Sequence, residues 1–242
     1  MQRSVAIGAL TILLAVAALL VSAQLAPAAA PDVGLARDGR PALEFVGRVQ
    51  QVGPAFTTFG YVTHVAGLED AAIFSNPSPT ARNEQTARLT FSGTATLAQG
   101  FTVPSLSGVP STFDADSMGD LTIFFSAAPP SGRSFDVPSS FSAGAAGVAT
   151  YSVHFQDSVA ALVGIDPMRG VVDGWGEFCQ QQRNSFTLDG QTQSLGRSGM
   201  LLLVSTHGWS VRTSPQGPQA TTTFAGRATL GSEGGCSRGG QV

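Results

Sequence analysis

The sequence predicts an all-β fold: an antiparallel β-barrel, with a β-sandwich as the alternative. Three observations predict it. Apolar and polar residues alternate with period two, most cleanly where Ala87, Leu89, Phe91, Gly93, Ala95 and Leu97 are separated by Arg88, Thr90, Ser92, Thr94 and Thr96. Successive strand side chains point to opposite faces, so this run has one buried and one wet side. Runs of this kind are divided by turn chemistry, as in Asn76-Pro77-Ser78-Pro79, Ala128-Pro129-Pro130-Ser131-Gly132, Asp189-Gly190 and Ser214-Pro215-Gln216-Gly217-Pro218. Finally, the phrase Phe-x-Gly-x-small recurs at Phe45–Val49, Phe91–Ala95 and Phe224–Ala228. A glycine inside a strand marks a bend or a place where a neighbouring ring lies on bare backbone. Its return in the first, a middle and the last strand predicts that these strands meet similar surroundings, and that the first and last pair to close the sheet.

Taken in order, residues 1–23 have the layout of a secretory signal peptide: Arg3, an apolar run from Val5 to Val21, and small residues up to Ala23. The expected location is therefore secreted, the alternative being tethering to a membrane by residues 5–21 as an uncleaved anchor. A Pro/Ala-rich linker, 24–41, precedes a single β domain, 42–231, and a Gly-rich tail, 232–242. Within the domain the expected strands are Leu43–Val52, Phe56–Ala66, the alternating run around Phe91, and Leu121–Phe125. They continue with a run around Tyr151, Val153 and Phe155, then Val171–Gln181, Ser185–Leu188, Gly199–Ser205, Trp209–Arg212 and Ala220–Leu230. One short helical turn fits Asp157–Ile165.

Composition excludes several partners. All thirteen basic residues are arginine, and charged residues make up only 12% of the chain. With no lysine, the polar surface has to be built from Ser, Thr, Gln and backbone, a bias that points to a GC-rich bacterial genome. Net charge falls from −3 to −4 once Arg3 leaves with the signal. The arginines are scattered, so no patch gathers phosphates, and nucleic acid is not an expected partner. After signal cleavage no membrane association is expected either. No Gly-rich phosphate loop leads into a helix, and no cofactor is expected.

At the level of architecture the chain resembles the secreted small barrels that include calycins and allene-oxide-cyclase-like proteins. That resemblance rests on Thr90–Leu97 and its echo at Thr223–Leu230. It implies the barrel form and carries no functional residue across.

Candidate site residues are few. Cys179 and Cys236, the two cysteines, are expected to form a disulfide across 57 residues in an oxidising compartment. His64 and His154 each follow a tyrosine by three residues, Tyr61 and Tyr151, and on a regular strand such residues face opposite ways. His154 reads as solvated and His207 as a turn residue. Asp114, Asp116 and Asp120 partly match a calcium loop. Met118 and Phe125 occupy positions that need oxygen ligands, so a polar turn is expected, with calcium as the alternative and no other metal site. Asp173 and Glu177 lie about 13 Å apart on one strand face, too far for a glycosidase pair. Trp175 is a structural anchor or a stacking platform. The expected function is a non-catalytic structural module or a binder of a small apolar ligand, with Trp175, His64 and Tyr61 as ligand-contact candidates. The alternative is a secreted barrel enzyme, isomerase/cyclase-like or hydrolase, with a site around His64, Tyr61 and Glu177.

Overall fold

The computed structural model describes residues 32–35, 39–103, 111–142, 148–163, 169–197, 199–212, 219–231 and 236, and for 101–115 and 148–163 the backbone alone. The signal-peptide segment and residues 24–31 lie outside the described residues.

Among the described residues eleven strands follow in order: β1 (Asp32–Val33), β2 (Leu43–Val52), β3 (Ala55–Val65), β4 (Leu89–Val103), β5 (Ser111–Phe125), β6 (Val148–Val163), β7 (Arg169–Arg183), β8 (Ser185–Leu188), β9 (Gln191–Leu195), β10 (Leu201–Arg212) and β11 (Gln219–Leu230). Eight of them form a closed barrel in the order β10-β11-β2-β3-β4-β5-β6-β7. Every barrel pair is antiparallel, so the chain winds up and down, and the first barrel strand, β2, pairs with the last, β11. Closure leaves no free edge, which matters in a chain without lysines to guard one.

The Phe-x-Gly phrases explain how the seam closes. Phe45 of β2 lies opposite Gly226 of β11, and Phe224 of β11 lies opposite Gly47 of β2. On the other side of β2, Gly47 faces Gly60 of β3, and Gly60 in turn faces Phe91 of β4. Rings thus occupy the space that absent side chains leave. Phe45, Phe91 and Phe224 stack mutually, with centroids 5.8 to 6.4 Å apart. A methyl group on Gly47 would stand 2.7 Å from the Phe224 ring, 2.8 Å from the Phe91 ring and 2.8 Å from the Phe59 carbonyl oxygen. No side chain tolerates such distances without displacement.

One end of the barrel is sealed. A small sheet, β1-β9-β8, pairs β1 with β9 in parallel and β8 with β9 through the tight turn Asp189-Gly190. Both turn residues have positive φ, 49° and 80°, as a two-residue hairpin of the twisted type demands. Val33, Phe186, Leu188 and Leu195 of this sheet pack with Leu43, Leu89, Ile123 and Leu202 of the barrel as one core. Arg183 and Arg197 both reach Asp32, fixing β1 in place. Asp32–Val33 is therefore a paired strand, inside the stretch whose composition reads as linker. The disulfide Cys179–Cys236 is present, with Cα atoms 5.5 Å apart, and ties the C-terminal tail to β7.

A second apolar layer lies outside the barrel. The segment between β5 and β6 straps across β3, burying the outward-facing Phe59 completely against Phe141 and Phe135 (centroids 5.5 and 6.1 Å). Arg48 stacks over Phe135 at 5.4 Å and donates to its carbonyl oxygen. Arg133, only 1% exposed, donates to the carbonyl oxygens of Glu84 and Ala87, pinning the strap to the β3–β4 connection.

Elsewhere the strands run longer than the alternation suggests. The stretch Asp157–Ile165 holds no helical turn as far as it is described, because β6 continues to Val163. The expected strands Gly199–Ser205, from Leu201 onward, and Trp209–Arg212 are parts of one strand, β10, whose Gly208 lies opposite Phe224. Asp114–Asp120 is strand, not turn: it belongs to β5, paired with β4 and β6 along its length.

Two outcomes follow for stability. Replacing Gly226 with Ala should cost about 1–3 kcal/mol by overpacking against the Phe45 ring. Adding Phe45→Leu should return part of that loss in urea unfolding, whereas additive losses would mean the two residues do not touch. Cys179→Ala with Cys236→Ala should lower the unfolding free energy by up to about 4 kcal/mol, the loop-closure value for this separation. Unchanged urea midpoints in the double variant would show that the bond constrains nothing.

Candidate functional site

Alternation along each barrel strand sends one rank of side chains inward and the other to solvent or to the outer strap. The outward rank includes Glu44, Arg48, Asp173, Glu177, His207 and Arg227, so the outer face carries charge where a lipid-facing barrel carries an apolar band. Among the described residues no helix is long and apolar enough to cross a membrane.

The inward rank does not fill the barrel. A cavity of about 210 Å³ remains in the lumen. Its inner end, next to the sealed base, is walled by Leu43, Val62, Phe91, Ile123, Phe178 and Leu202. Small lining residues leave the room: Ala95, Ser117, Ala220 and Ala228. Gly93 and Gly119 serve a different purpose, close strand packing, since a methyl group on Gly93 would stand 2.5 Å from the Asp120 carbonyl oxygen, and one on Gly119 closer still to that of Thr94. Towards the hairpin end Gln51, Thr58, Ser117, Ser210 and Thr222 set uncharged polar groups among Val49, Phe56 and Ala220. Thr222 donates its hydroxyl to Ser210 at 3.0 Å, and Gln51 donates to the carbonyl oxygen of Gly53 at 3.1 Å. None of the described lining residues is ionisable. Such a site can shelter an apolar body and hydrogen-bond a neutral polar group; it holds no described acid, base or nucleophile of raised reactivity.

The candidates named from sequence fall outside this lumen. Trp175 projects from the outer face of β7 and is 55% exposed, with Trp209 of β10 also exposed nearby on the same face. His207 is a strand residue of β10, not a turn residue, and its Nδ1 lies 2.6 Å from the Asp173 carboxylate on the neighbouring strand. His64 is half-buried and its Nδ1 sits 2.7 Å from Asp70. Tyr61 lies in the outer aromatic layer, 6.2 Å from both Phe74 and Phe135. The expected opposition of Tyr61 and His64 is corrected by a bulge. Tyr61 pairs with Val46 and His64 with Glu44, but Val62 pairs with Phe45, leaving Thr63 unmatched and putting Tyr61 and His64 on one side. Glu177 is on the outer face of β7, separated from β3 by β10, β11 and β2, so Glu177 does not join Tyr61 and His64.

Asp116 and Asp120 stand on the extended strand β5, four residues apart along the outer rank, which rules out the loop that a calcium site of that pattern needs. The side chain of Asp114, like those of Tyr151 and His154, lies outside the described residues. Among the described residues no three His, Cys, Asp or Glu side chains group as metal ligands. The lumen residues were missed because Gln51, Ser117, Ser210 and Thr222 read as ordinary polar positions near strand ends. The available signal was their parity: each continues an inward rank, as Gln51 continues Leu43, Phe45, Gly47 and Val49.

Burial, and secondarily the charge of Glu84, raises the Tyr61 phenol above its ordinary range. The folded value exceeds the unfolded one, so the associated stability is complete below about pH 10 and drains away as pH climbs through the folded value. In a Tyr151→Phe background, absorbance at 295 nm should rise at higher pH in the folded chain than in urea. Coincident titrations would place Tyr61 in water.

Comparison with protein-family models, with curated proteins and with solved structures gives no match.

Proposed function

We propose that this is a secreted, non-catalytic binding protein that takes up a small apolar molecule in its barrel lumen. The observation that carries the reading is the unfilled 210 Å³ space walled by Phe and Leu and sealed at one end. A core evolved only for stability closes such a void, because an empty cavity costs on the order of 24 cal/mol per Å³. Eight strands give a barrel wide enough for one small ligand when inward residues are small. Export is supported by the first 23 residues and is compatible with the Cys179–Cys236 bond.

Burying an alkyl chain yields about 0.8 kcal/mol per CH₂, and association costs leave a Kd on the order of micromolar for a ligand of this size. The small neutral dye 1-aminonaphthalene is the probe. It should bind one per chain with a rise and blue shift in fluorescence. Thr222→Trp, which fills the lumen from β11, should abolish that signal while the circular dichroism spectrum stays β-rich. Equal dye binding by the filled variant would move the site to the outer surface and overturn the reading.

A further inference from the structure

We infer that the lumen selects uncharged, single-headed amphiphiles, such as medium-chain or terpenoid alcohols, and rejects the corresponding carboxylates. The inference rests on the lumen being the binding site and adds the chemical class of its occupant.

Three observations carry it. First, the space is small and graded. At the packing density of a protein interior a void of this size accepts on the order of ten non-hydrogen atoms. The end against the sealed base is lined by Leu, Val, Ile and Phe, while the hydroxyls and the amide lie towards the hairpins among Val49, Phe56 and Ala220, so a ligand that enters tail first leaves its head within reach of a hydroxyl. Second, those groups are neutral. Ser210 and Thr222 already share one hydrogen bond, leaving hydroxyl lone pairs, while the Gln51 amide nitrogen is engaged with Gly53. A hydroxyl on the ligand can both donate and accept in such a ring, and needs nothing more.

Third, no described lining residue offers a counter-charge. A buried ion without a partner costs several kcal/mol, so a carboxylate headgroup is penalised against an alcohol of equal length. Arg212 ends β10 opposite Ala220, at the rim where water screens it, and a rim charge contributes at most about 1 kcal/mol.

The test uses the full mature chain loaded with 1-aminonaphthalene and competed at pH 8 with 1-decanol or decanoate below their micellar concentrations. Decanol should displace the dye with an inhibition constant about ten-fold or more lower than decanoate. Displacement by decanoate within about three-fold of decanol would overturn the selection and assign Arg212 the role of a headgroup anchor. Failure of the dye itself to bind would sink the lumen as a site, and this inference with it. Dye binding with undiscriminating competition leaves the lumen in place and removes only the selectivity.

Discussion

The structure depends on a reciprocal interlock of rings and glycines at the β2–β11 seam. Phe45 covers Gly226 and Phe224 covers Gly47, while Phe91 reaches across Gly60 to the same point. Each phenylalanine needs the missing side chain opposite, and each glycine, costly in a strand on its own, is stabilised by the ring it receives. Because the partners come from the first and last barrel strands, the contact registers the two ends of a long chain against each other. A slip by one residue would turn every inward side chain out, and the interlock forbids it.

Placing three rings together near one level of the barrel has a consequence for the rest of the lumen. The same rings wall one level of the lumen, and the space continues past them between β2, β10 and β11 on one side and Ala95, Ser117 and Leu121 on the other. Apolar residues left outside are handled separately: Phe59 and Tyr61 point away from the lumen and would be wet but for Phe74, Phe135 and Phe141 on the long connections. Over Phe59 and Tyr61 the sheet thus has an apolar layer on each side. The outer face of β7 and β10, with Trp175 and Trp209 in water, has no such cover among the described residues.

Much of this was legible in the residues. The alternation around Phe91, the Asp189-Gly190 turn, the bounds of β2 and β8 and the pairing of first with last strand all follow from local chemistry. What escaped was whatever depends on a partner strand. The unmatched Thr63 leaves no trace in the sequence, yet it alone reverses the relation of Tyr61 to His64. Thr206-His207-Gly208 resembles a turn until Phe224 is set against Gly208. Likewise Asp114–Asp120 has the composition of a loop, but β4 and β6 on either side hold it extended. The strap residues Arg133, Phe135 and Phe141 have no periodicity, since they pack as single anchors and not as an element. For the site, the apolar wall was legible as the inward rank, while the small residues that open it read only as a bias in composition.

Amide hydrogen exchange along β2 and β11 tests the closed seam most directly. In a closed barrel the β2 amides directed at β11 are as protected as those between β4 and β5, and the same holds for β11. Exchange of that half of the β2 amides at the rate of exposed loops, with the β3-directed half still protected, would describe an open sheet with two free edges and would contradict the account.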